Sequence, residues 1–219
     1  DKKELAKSYS YIGYCYYSLG KYEIALDNFL KSNQLNIETG NEKSTAEVYC
    51  KIGDVYWNQS NYQKALDNYL KSCSIYENIE DSEGIASALY NIGYVYLYQS
   101  NYKKAFEIFS KELELAKKTG NKGEIADAYN ALGDLFEKTA NYEDAIKNHT
   151  MCLKLMEETK DSFGISRSYG NIGLTYAHQG EFVKALPNYL NFLQISKKLG
   201  DKIGIAHAHF GLGETYLYQ

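Results

Sequence analysis

The sequence predicts an all-α fold built from stacked helix pairs. Three observations predict it: an internal repeat of forty residues, apolar side chains at helical spacing within each repeat, and turn residues at regular intervals. No insertion or deletion interrupts the register of the 219 residues. The chain therefore divides into five repeats of about 1–40, 41–80, 81–120, 121–160 and 161–200, and a final half repeat at 201–219.

The forty-residue register is clearest at glycine and alanine. One glycine series runs through Gly13, Gly53, Gly93, Gly133, Gly173 and Gly213, and one alanine series through Ala25, Ala65, Ala105, Ala145 and Ala185. We expect these positions to let two helices of one repeat approach closely, because a larger side chain there would push them apart. A single helix pair cannot bury both of its apolar stripes, so neighbouring repeats are expected to stack.

Each repeat is predicted to contain two helices. In the first helix of the second repeat, Tyr49, Ile52 and Tyr56 follow the spacing of one helix face. Asn61 is a suitable N-cap for the second helix, whose apolar residues then recur at helical spacing between positions 62 and 73. Glycine stands where helices should end at 20, 40, 120, 180 and 200, and Asn or Asp opens each link to the next repeat.

The same residues carry a family resemblance. The pattern Y-x2-I-G-x2-Y at 49–56, followed by A-x3-Y at 65–69, resembles the tetratricopeptide repeat, with Tyr in the usual Trp position. The forty-residue period is similar to the extended variety of Pins-type adaptors, kinesin light chains and bacterial sensor or regulator proteins. The resemblance covers the whole chain and implies one α-solenoid over 1–219, a superhelix of antiparallel helix pairs. It also implies that the first helices line a concave groove.

The resemblance further implies which residues face that groove, namely the seventh, tenth, fourteenth, seventeenth and eighteenth of each repeat. These positions change from repeat to repeat, whereas the scaffold positions hardly vary. The predicted partner-binding residues are Tyr14, Tyr17, Asp54, Trp57, Asn58, Tyr90, Tyr94, Tyr98, Asn130, Asp134, Glu137, Lys138, Arg167 and His178. Aromatic anchors beside carboxylates suit a peptide that bears Lys or Arg. In the alternative interpretation, the acids are only solvated and the aromatic rings pack on neighbouring helices.

Composition excludes several classes of partner. The chain has 24 Lys+Arg against 28 Asp+Glu, a net charge of −4, and Arg167 is its only arginine. This balance argues against nucleic acid or an anionic membrane surface as a partner. No run approaches the roughly 18 apolar residues that a transmembrane helix needs. We expect a protein or peptide ligand, with no nucleic acid and no membrane.

No arrangement of residues predicts catalysis, a metal or a cofactor. Metalloprotease, phosphate-loop and nucleophile-elbow motifs are all missing from the sequence. Cys15 aligns with Val55 and Val95, Cys73 aligns with Leu113 and Leu153, and Cys152 lies at another inter-helix phase, so all three are predicted to be small core residues. His149 aligns with core aromatic residues and is also predicted to be buried. Cys50 alone is expected near the groove. Reduced thiols favour a cytoplasmic location, although an extracytoplasmic sensor region stays open.

Two functions are consistent with these features. The first is a non-catalytic protein–protein interaction scaffold that binds a peptide or helix along the groove. The alternative is the sensory or regulatory region of a larger bacterial signalling protein, such as a histidine kinase, a cyclase or a peptide-controlled regulator. The half repeat at 201–219 lacks its second helix. We therefore expect a fragment of a longer array, or self-association through the uncapped terminal repeat.

Overall fold

A computed structural model of the chain describes residues 1–218. In this range the chain forms helices and no strands. The helices are α1 (Lys2–Ser18), α2 (Tyr22–Glu38), α3 (Glu42–Asn58), α4 (Tyr62–Asn78), α5 (Ser82–Tyr98), α6 (Tyr102–Thr119), α7 (Lys122–Lys138), α8 (Tyr142–Thr159), α9 (Ser162–His178), α10 (Phe182–Leu199) and α11 (Lys202–Leu217). The all-α fold and the two helices per repeat are thus confirmed.

The helices form two compact units whose boundary lies within α6. The N-terminal unit is Asp1–Ile108 and the C-terminal unit is Phe109–Gln219. In the N-terminal unit each helix from α1 to α5 packs against the next, and the same holds from α7 to α11 in the C-terminal unit. First helices of successive repeats also touch each other, α1 with α3, α3 with α5, and α9 with α11. Within each unit the first helices therefore lie side by side on one face.

The helix ends follow the predicted turn residues. Gly20, Gly40, Gly120, Gly180 and Gly200 all have positive φ, between 64° and 80°. This left-handed conformation is one that glycine adopts without steric cost, which explains its position after these helices. The predicted N-cap is also formed, since Asn61 Oδ1 accepts a hydrogen bond of 3.3 Å from the backbone N–H of Lys64.

The repeating glycines lie under aromatic rings of the second helix. A Cβ atom at Gly13 would lie 2.7 Å from the Phe29 ring, and one at Gly53 would lie 2.5 Å from the Tyr69 ring. Both distances are well inside van der Waals contact, so only glycine lets the ring sit directly on the first helix. The alanine series supports the same close packing, because Ala25, Ala65, Ala105, Ala145 and Ala185 are all completely buried.

A buried hydrogen bond also joins the two helices of the first two repeats. The hydroxyl of Ser32 donates to the carbonyl of Ala6 at 2.8 Å, and Ser72 donates to Ala46 at the same distance. The position of Ser72 is occupied by Glu112 in the third repeat, by Cys152 in the fourth and by Phe192 in the fifth. This position therefore changes from a hydroxyl to a carboxyl, a thiol and a ring along the chain.

The cysteine predictions hold for two of three core positions. Cys73 and Cys152 are buried, as predicted. Cys15 is exposed, so its prediction was wrong. Its equivalents Val55 and Val95 are completely buried by packing between repeats, and within residues 1–218 no helix packs on the corresponding side of α1.

Candidate partner-binding face

In each unit, first helices of successive repeats meet on one side, and we call this side the inner face. Polar contacts cross it between residues about one repeat apart. Lys51 Nζ donates to Ser10 Oγ at 3.1 Å, and Asn58 Nδ2 donates to the hydroxyl of Tyr17 at 2.8 Å. Part of this face therefore links neighbouring repeats through polar contacts.

A first aromatic group lies on the inner face of α1. The rings of Tyr14 and Tyr17 are stacked, with centroids 6.5 Å apart, and Tyr17 also lies 6.0 Å from Tyr22. Tyr17 is half-buried in this group. Tyr14 is 57% exposed, so one side of the group is presented to solvent. A large amphipathic ring held by its neighbours loses little entropy when a partner packs on it.

A second aromatic group joins α3 and α5. The Trp57 ring meets Tyr98 edge-on at 4.8 Å and Tyr62 at 5.2 Å. Tyr98 is 58% exposed, whereas Trp57 is half-buried beneath it. Tyr90 and Tyr94 form a further pair on α5, with centroids 4.7 Å apart. The sequence did not single out Tyr22 and Tyr62, because their repeated phase indicated a scaffold role.

Asp54 is drawn into the core of the second repeat. It accepts a hydrogen bond of 2.7 Å from the Tyr69 hydroxyl, and burial raises the pKa of its carboxyl. Burial also raises the pKa of the neighbouring Cys50 thiol to about 11, and Cys50 donates to Ser72 at 3.1 Å. A thiol with so high a pKa is a poor nucleophile near neutral pH. Asp54 and Cys50 thus contribute structure rather than reactivity.

In the C-terminal unit the inner face is a polar ladder between α7 and α9. Asn171 Nδ2 donates to Asn130 Oδ1 at 2.8 Å, and Asn130 in turn donates to Asp134 at 3.3 Å. Arg167 forms an ion pair of 3.1 Å with Asp127. Two of these contacts, Asn171–Asn130 and Arg167–Asp127, link α9 to α7, and the third runs along α7.

The ladder continues at the C-terminal end of the two helices. Glu137 accepts a hydrogen bond from Thr175 at 3.4 Å and lies 3.1 Å from His178 Nδ1. Lys138 is exposed beside them. The structure therefore brings Asn130, Asp134, Glu137, Arg167 and His178 together on one side of α7 and α9. Lys138 also lies on α7 in the C-terminal unit. The remaining eight predicted residues belong to the N-terminal unit.

Two ionisable side chains are buried in the C-terminal unit. His149 is completely buried at the position of Phe29 and Tyr69, and burial lowers its pKa to about 4. It is therefore neutral at neutral pH, and its 3.8 Å separation from Asp134 is not an ion pair there. Glu112 is 2% exposed, and burial raises its pKa to about 9. Neither imidazole nitrogen of His149, nor Oε2 of Glu112, has a hydrogen-bond partner within residues 1–218.

A cavity of about 420 Å³ opens on the inner face between α9, α10 and α11. Its floor is formed by Tyr189 and Phe192 of α10, and Gly170 and Gly211 lie on either side. The predicted residue Arg167 is also in its lining. Tyr189 and Phe192 were not among the predicted site residues. The two additional glycines, in a helix face that elsewhere carries side chains, are the signal that points to them.

The described residues contain no group of three or more His, Cys, Asp or Glu side chains that could hold a metal ion. None of the helices described between residues 1 and 218 is long and apolar enough to cross a membrane.

Comparison with known proteins identifies the repeat. A sequence profile described as tetratricopeptide repeat matches residues 4–78 and 84–158. No curated protein sequence matches the chain.

Several solved structures share the fold at low sequence identity. A Rap protein complexed with competence and sporulation factor is 16% identical, with a TM-score of 0.82 over 95% of this chain and 62% of that one. The Rap conjugation gene regulator of plasmid pLS20, in complex with the Phr* peptide, is 18% identical, with a TM-score of 0.79 over 92% of this chain and 56% of that one. A signal transduction ATPase with a tetratricopeptide repeat sensor from Pyrococcus horikoshii is 19% identical, with a TM-score of 0.74 over 99% of this chain and 36% of that one. The chain thus spans less than two thirds of each of these proteins.

Proposed function

Because the chain belongs to the tetratricopeptide repeat family, we propose that it is a non-catalytic binding region that recognises a peptide or protein segment on its inner face. The observation that carries the proposal is the exposure of Tyr14 and Tyr98. Both rings are held by aromatic neighbours on first helices, whereas the aromatic rings that pack on the repeating glycines are buried. Ordered rings that remain exposed are typical anchors of an interface.

The charge of the inner face favours a ligand with basic as well as apolar side chains. Its carboxylates outnumber its cations, with Glu47, Asp127, Asp134, Glu137 and Glu214 against Lys7, Lys51, Lys138 and Arg167. Arg167 is already paired with Asp127. The remaining negative charge would attract Lys or Arg of a peptide and would repel an acidic one.

The complexes of two similar structures with peptides support this class of partner. One Rap protein was solved with competence and sporulation factor and another with the Phr* peptide. A shared fold at such low identity does not carry the ligand across, so the peptide bound by this chain is defined by its own inner face.

The proposal is tested by selecting peptides from a random display library against the chain. We expect basic and aromatic or aliphatic residues to be enriched. In the variant Tyr14→Ala/Tyr98→Ala, Kd of the selected peptides should rise at least about tenfold, because exposed aromatic anchors dominate such interfaces. The matched control is Leu30→Ala/Ile37→Ala, which removes exposed apolar side chains from the second helix α2 and should leave Kd unchanged. Failure to enrich any peptide, or equal binding by both variants, would contradict the proposal.

A second candidate is that this binding face serves as the sensor of a larger signalling protein. It is favoured by the likeness to the signal transduction ATPase, of which the chain matches 36% and whose sensor is a tetratricopeptide repeat region. The test uses the full-length protein. A selected peptide should change its output activity, and the change should disappear in Tyr14→Ala/Tyr98→Ala; an output that does not respond to the peptide counts against this candidate.

A further inference from the structure

The cavity between α9, α10 and α11 is bordered by two glycines, Gly170 of α9 and Gly211 of α11. A Cβ atom at Gly170 would lie 3.1 Å from the Phe192 ring, and one at Gly211 would lie 2.5 Å from the Tyr189 ring. The bare backbone of Gly211 therefore lies directly on the buried Tyr189 ring, whereas the half-buried Phe192 ring beside Gly170 borders the cavity. Neither glycine belongs to the forty-residue glycine series.

The same place is filled in the N-terminal unit. The positions equivalent to Gly170 and Gly211 between the first and second repeats are Ser10 and Lys51, which are hydrogen-bonded to each other at 3.1 Å. There, a polar contact closes the gap between first helices. In the C-terminal unit the gap stays open and its floor is aromatic. The cavity is thus a local departure from the repeat.

The opening of the cavity is surrounded by apolar side chains that are exposed to solvent. Phe163, Ile203 and Phe210 line it and are each more than half exposed, Phe210 by 68%. A volume of about 420 Å³ falls in the range of roughly 300–1,000 Å³ found for pockets that bind organic ligands. A floor that contains Phe192 and a rim of apolar side chains favour a bulky apolar group, above all an aromatic ring.

The polar groups of the lining indicate which charge a bound ligand would carry. Arg167 is paired with Asp127, and Asp201 caps α11 by accepting a bond of 3.1 Å from the N–H of Ile203. Glu214, also in the lining, is exposed and accepts no side-chain hydrogen bond within residues 1–218. Glu214 is therefore the charged group at the rim that is available to a ligand, and it selects a cation.

We propose that this cavity receives an aromatic side chain of the bound peptide, and that a Lys or Arg next to that side chain pairs with Glu214. The proposal rests on the proposed function and names one element of the sequence that the inner face recognises. The ring would pack on Phe192 between the two glycines, and the peptide backbone would lie across the bare backbone of α9 and α11.

The test follows the backbone amide signals of Gly170 and Gly211 by NMR while minimal probes are added. N-acetyl-Phe-Lys-amide should shift both signals in a saturable way. N-acetyl-Ala-Lys-amide should bind at least about tenfold more weakly, because it lacks the ring. N-acetyl-Phe-Glu-amide should bind more weakly than the Phe-Lys probe, and Glu214→Gln should remove that difference. Shifts that spread over other surfaces, or equal affinities for the Phe and Ala probes, would overturn the proposal.

A matched pair of variants separates filling of the cavity from a general effect of the substitution. Gly170→Leu places a side chain in the cavity and should abolish binding of the Phe-Lys probe. Gly213→Leu makes the same change on α11, where an added Cβ meets nothing within 4 Å, and should bind as the unmodified chain does. Phe210→Ala provides a second test that leaves the packing of α9 on α10 intact, and it should weaken binding about threefold or more. Wild-type affinity in both Gly170→Leu and Phe210→Ala refutes the proposal.

The outcome is distinguishable from that of the proposed function. If library peptides bind and depend on Tyr14 and Tyr98, but the Phe-Lys probe leaves Gly170 and Gly211 unmoved, the cavity proposal fails while the proposed function stands. If the Phe-Lys probe binds but no library peptide is enriched, the proposed function fails and the cavity is a site for a small ligand only.

Discussion

The two compact units carry the same repeat but differ in what they place on and beneath the inner face. In the N-terminal unit the face is aromatic, and exposed rings such as Tyr14 and Tyr98 stand over a core that contains Phe29 and Tyr69. In the C-terminal unit the face is a ladder of amides and ion pairs, and the core holds His149 and Glu112.

This difference shows that the repeat determines the residues at the helix crossings. Positions on the inner face and some core positions can carry different residue types in the two units. Glycine and alanine at the helix crossing are retained in both units, because close approach tolerates nothing larger. The core positions occupied by His149 and Glu112 vary, even at a cost to stability, since a buried ionisable group without a partner is unfavourable. The C-terminal unit should therefore depend on pH more strongly than the N-terminal unit.

The largest predicted effect concerns Glu112. Its pKa is about 9 in the folded protein, against an ordinary value of 4.5. Above about pH 4.5 the unfolded chain releases a proton from Glu112 that the folded protein keeps. The free energy of unfolding therefore falls as the pH rises, until the pH passes the folded pKa of about 9. One retained proton corresponds to about 1.4 kcal/mol per pH unit, or about 4 kcal/mol between pH 5 and pH 8.

Glu112→Gln should remove most of this dependence, so that the variant is more stable than the wild type at pH 8 and close to it at pH 5. Urea unfolding at several pH values measures it. The control is Glu114→Gln, an exposed change in the same helix. A wild-type stability that does not decline between pH 5 and pH 8 would show that Glu112 is solvated.

The next effect compares the helix crossings of the two units. Gly53→Leu should destabilise the protein by about 3 kcal/mol, because its Cβ would lie 2.5 Å from the Tyr69 ring and the helices would have to separate. At Gly173 the nearest Tyr189 atom is 3.0 Å away, so Gly173→Leu should cost less. Gly213→Leu, with no atom within 4 Å, is the control and should change stability by about 0.5 kcal/mol at most. Equal unfolding midpoints for the variants of Gly53 and Gly213 would contradict this account.

His149 should make the stability of the C-terminal unit fall as the pH is lowered, which is opposite to the effect of Glu112. Its pKa is about 4 when folded and 6.5 ordinarily, so the stability it contributes is complete above pH 6.5 and is lost as the pH falls toward 4. His149→Phe restores the residue found at position 29. It should increase stability by about 2 kcal/mol, since two unpaired nitrogens leave the core, and it should remove the loss below pH 6.5. Thermal unfolding at pH 5 and pH 7 tests both effects, with the exposed His209→Phe as control.

The sequence was sufficient to predict most of the fold. The helix pairs, the buried alanines, the turn glycines and the burial of His149 all follow from a register that is repeated without interruption, so each position is observed several times in one chain. Cys15 shows the limit of that inference. Its equivalents are buried by a preceding repeat, and the burial of a repeated position depends on neighbours as well as on phase.

The candidate site was less predictable for a physical reason. The sequence showed which residues vary on the inner face, but whether a polar side chain binds its neighbour or remains available depends on distances between helices. The bond of 2.8 Å between Asn58 and Tyr17, and that between Asn171 and Asn130, could not be foreseen from spacing alone. The cavity floor was missed for a similar reason, because the rings of Tyr189 and Phe192 belong to a second helix that the predicted face did not include.

The smallest predicted effect lies in the turns, where the two units differ only in which residues adopt the left-handed conformation. Glu80 and Lys160 have φ of 56° and 58°, values close to the 64° of Gly40. A side chain in this region is strained by about 1 kcal/mol, partly offset by the greater flexibility of glycine in the unfolded chain. Glu80→Gly and Lys160→Gly should therefore each stabilise their unit by about 0.5 kcal/mol, and Gly120→Ala should destabilise the C-terminal unit by about 1 kcal/mol. Differential unfolding in urea resolves shifts of this size, and a gain in stability for Gly120→Ala would mean that the turns tolerate side chains freely and that glycine there reflects no conformational requirement.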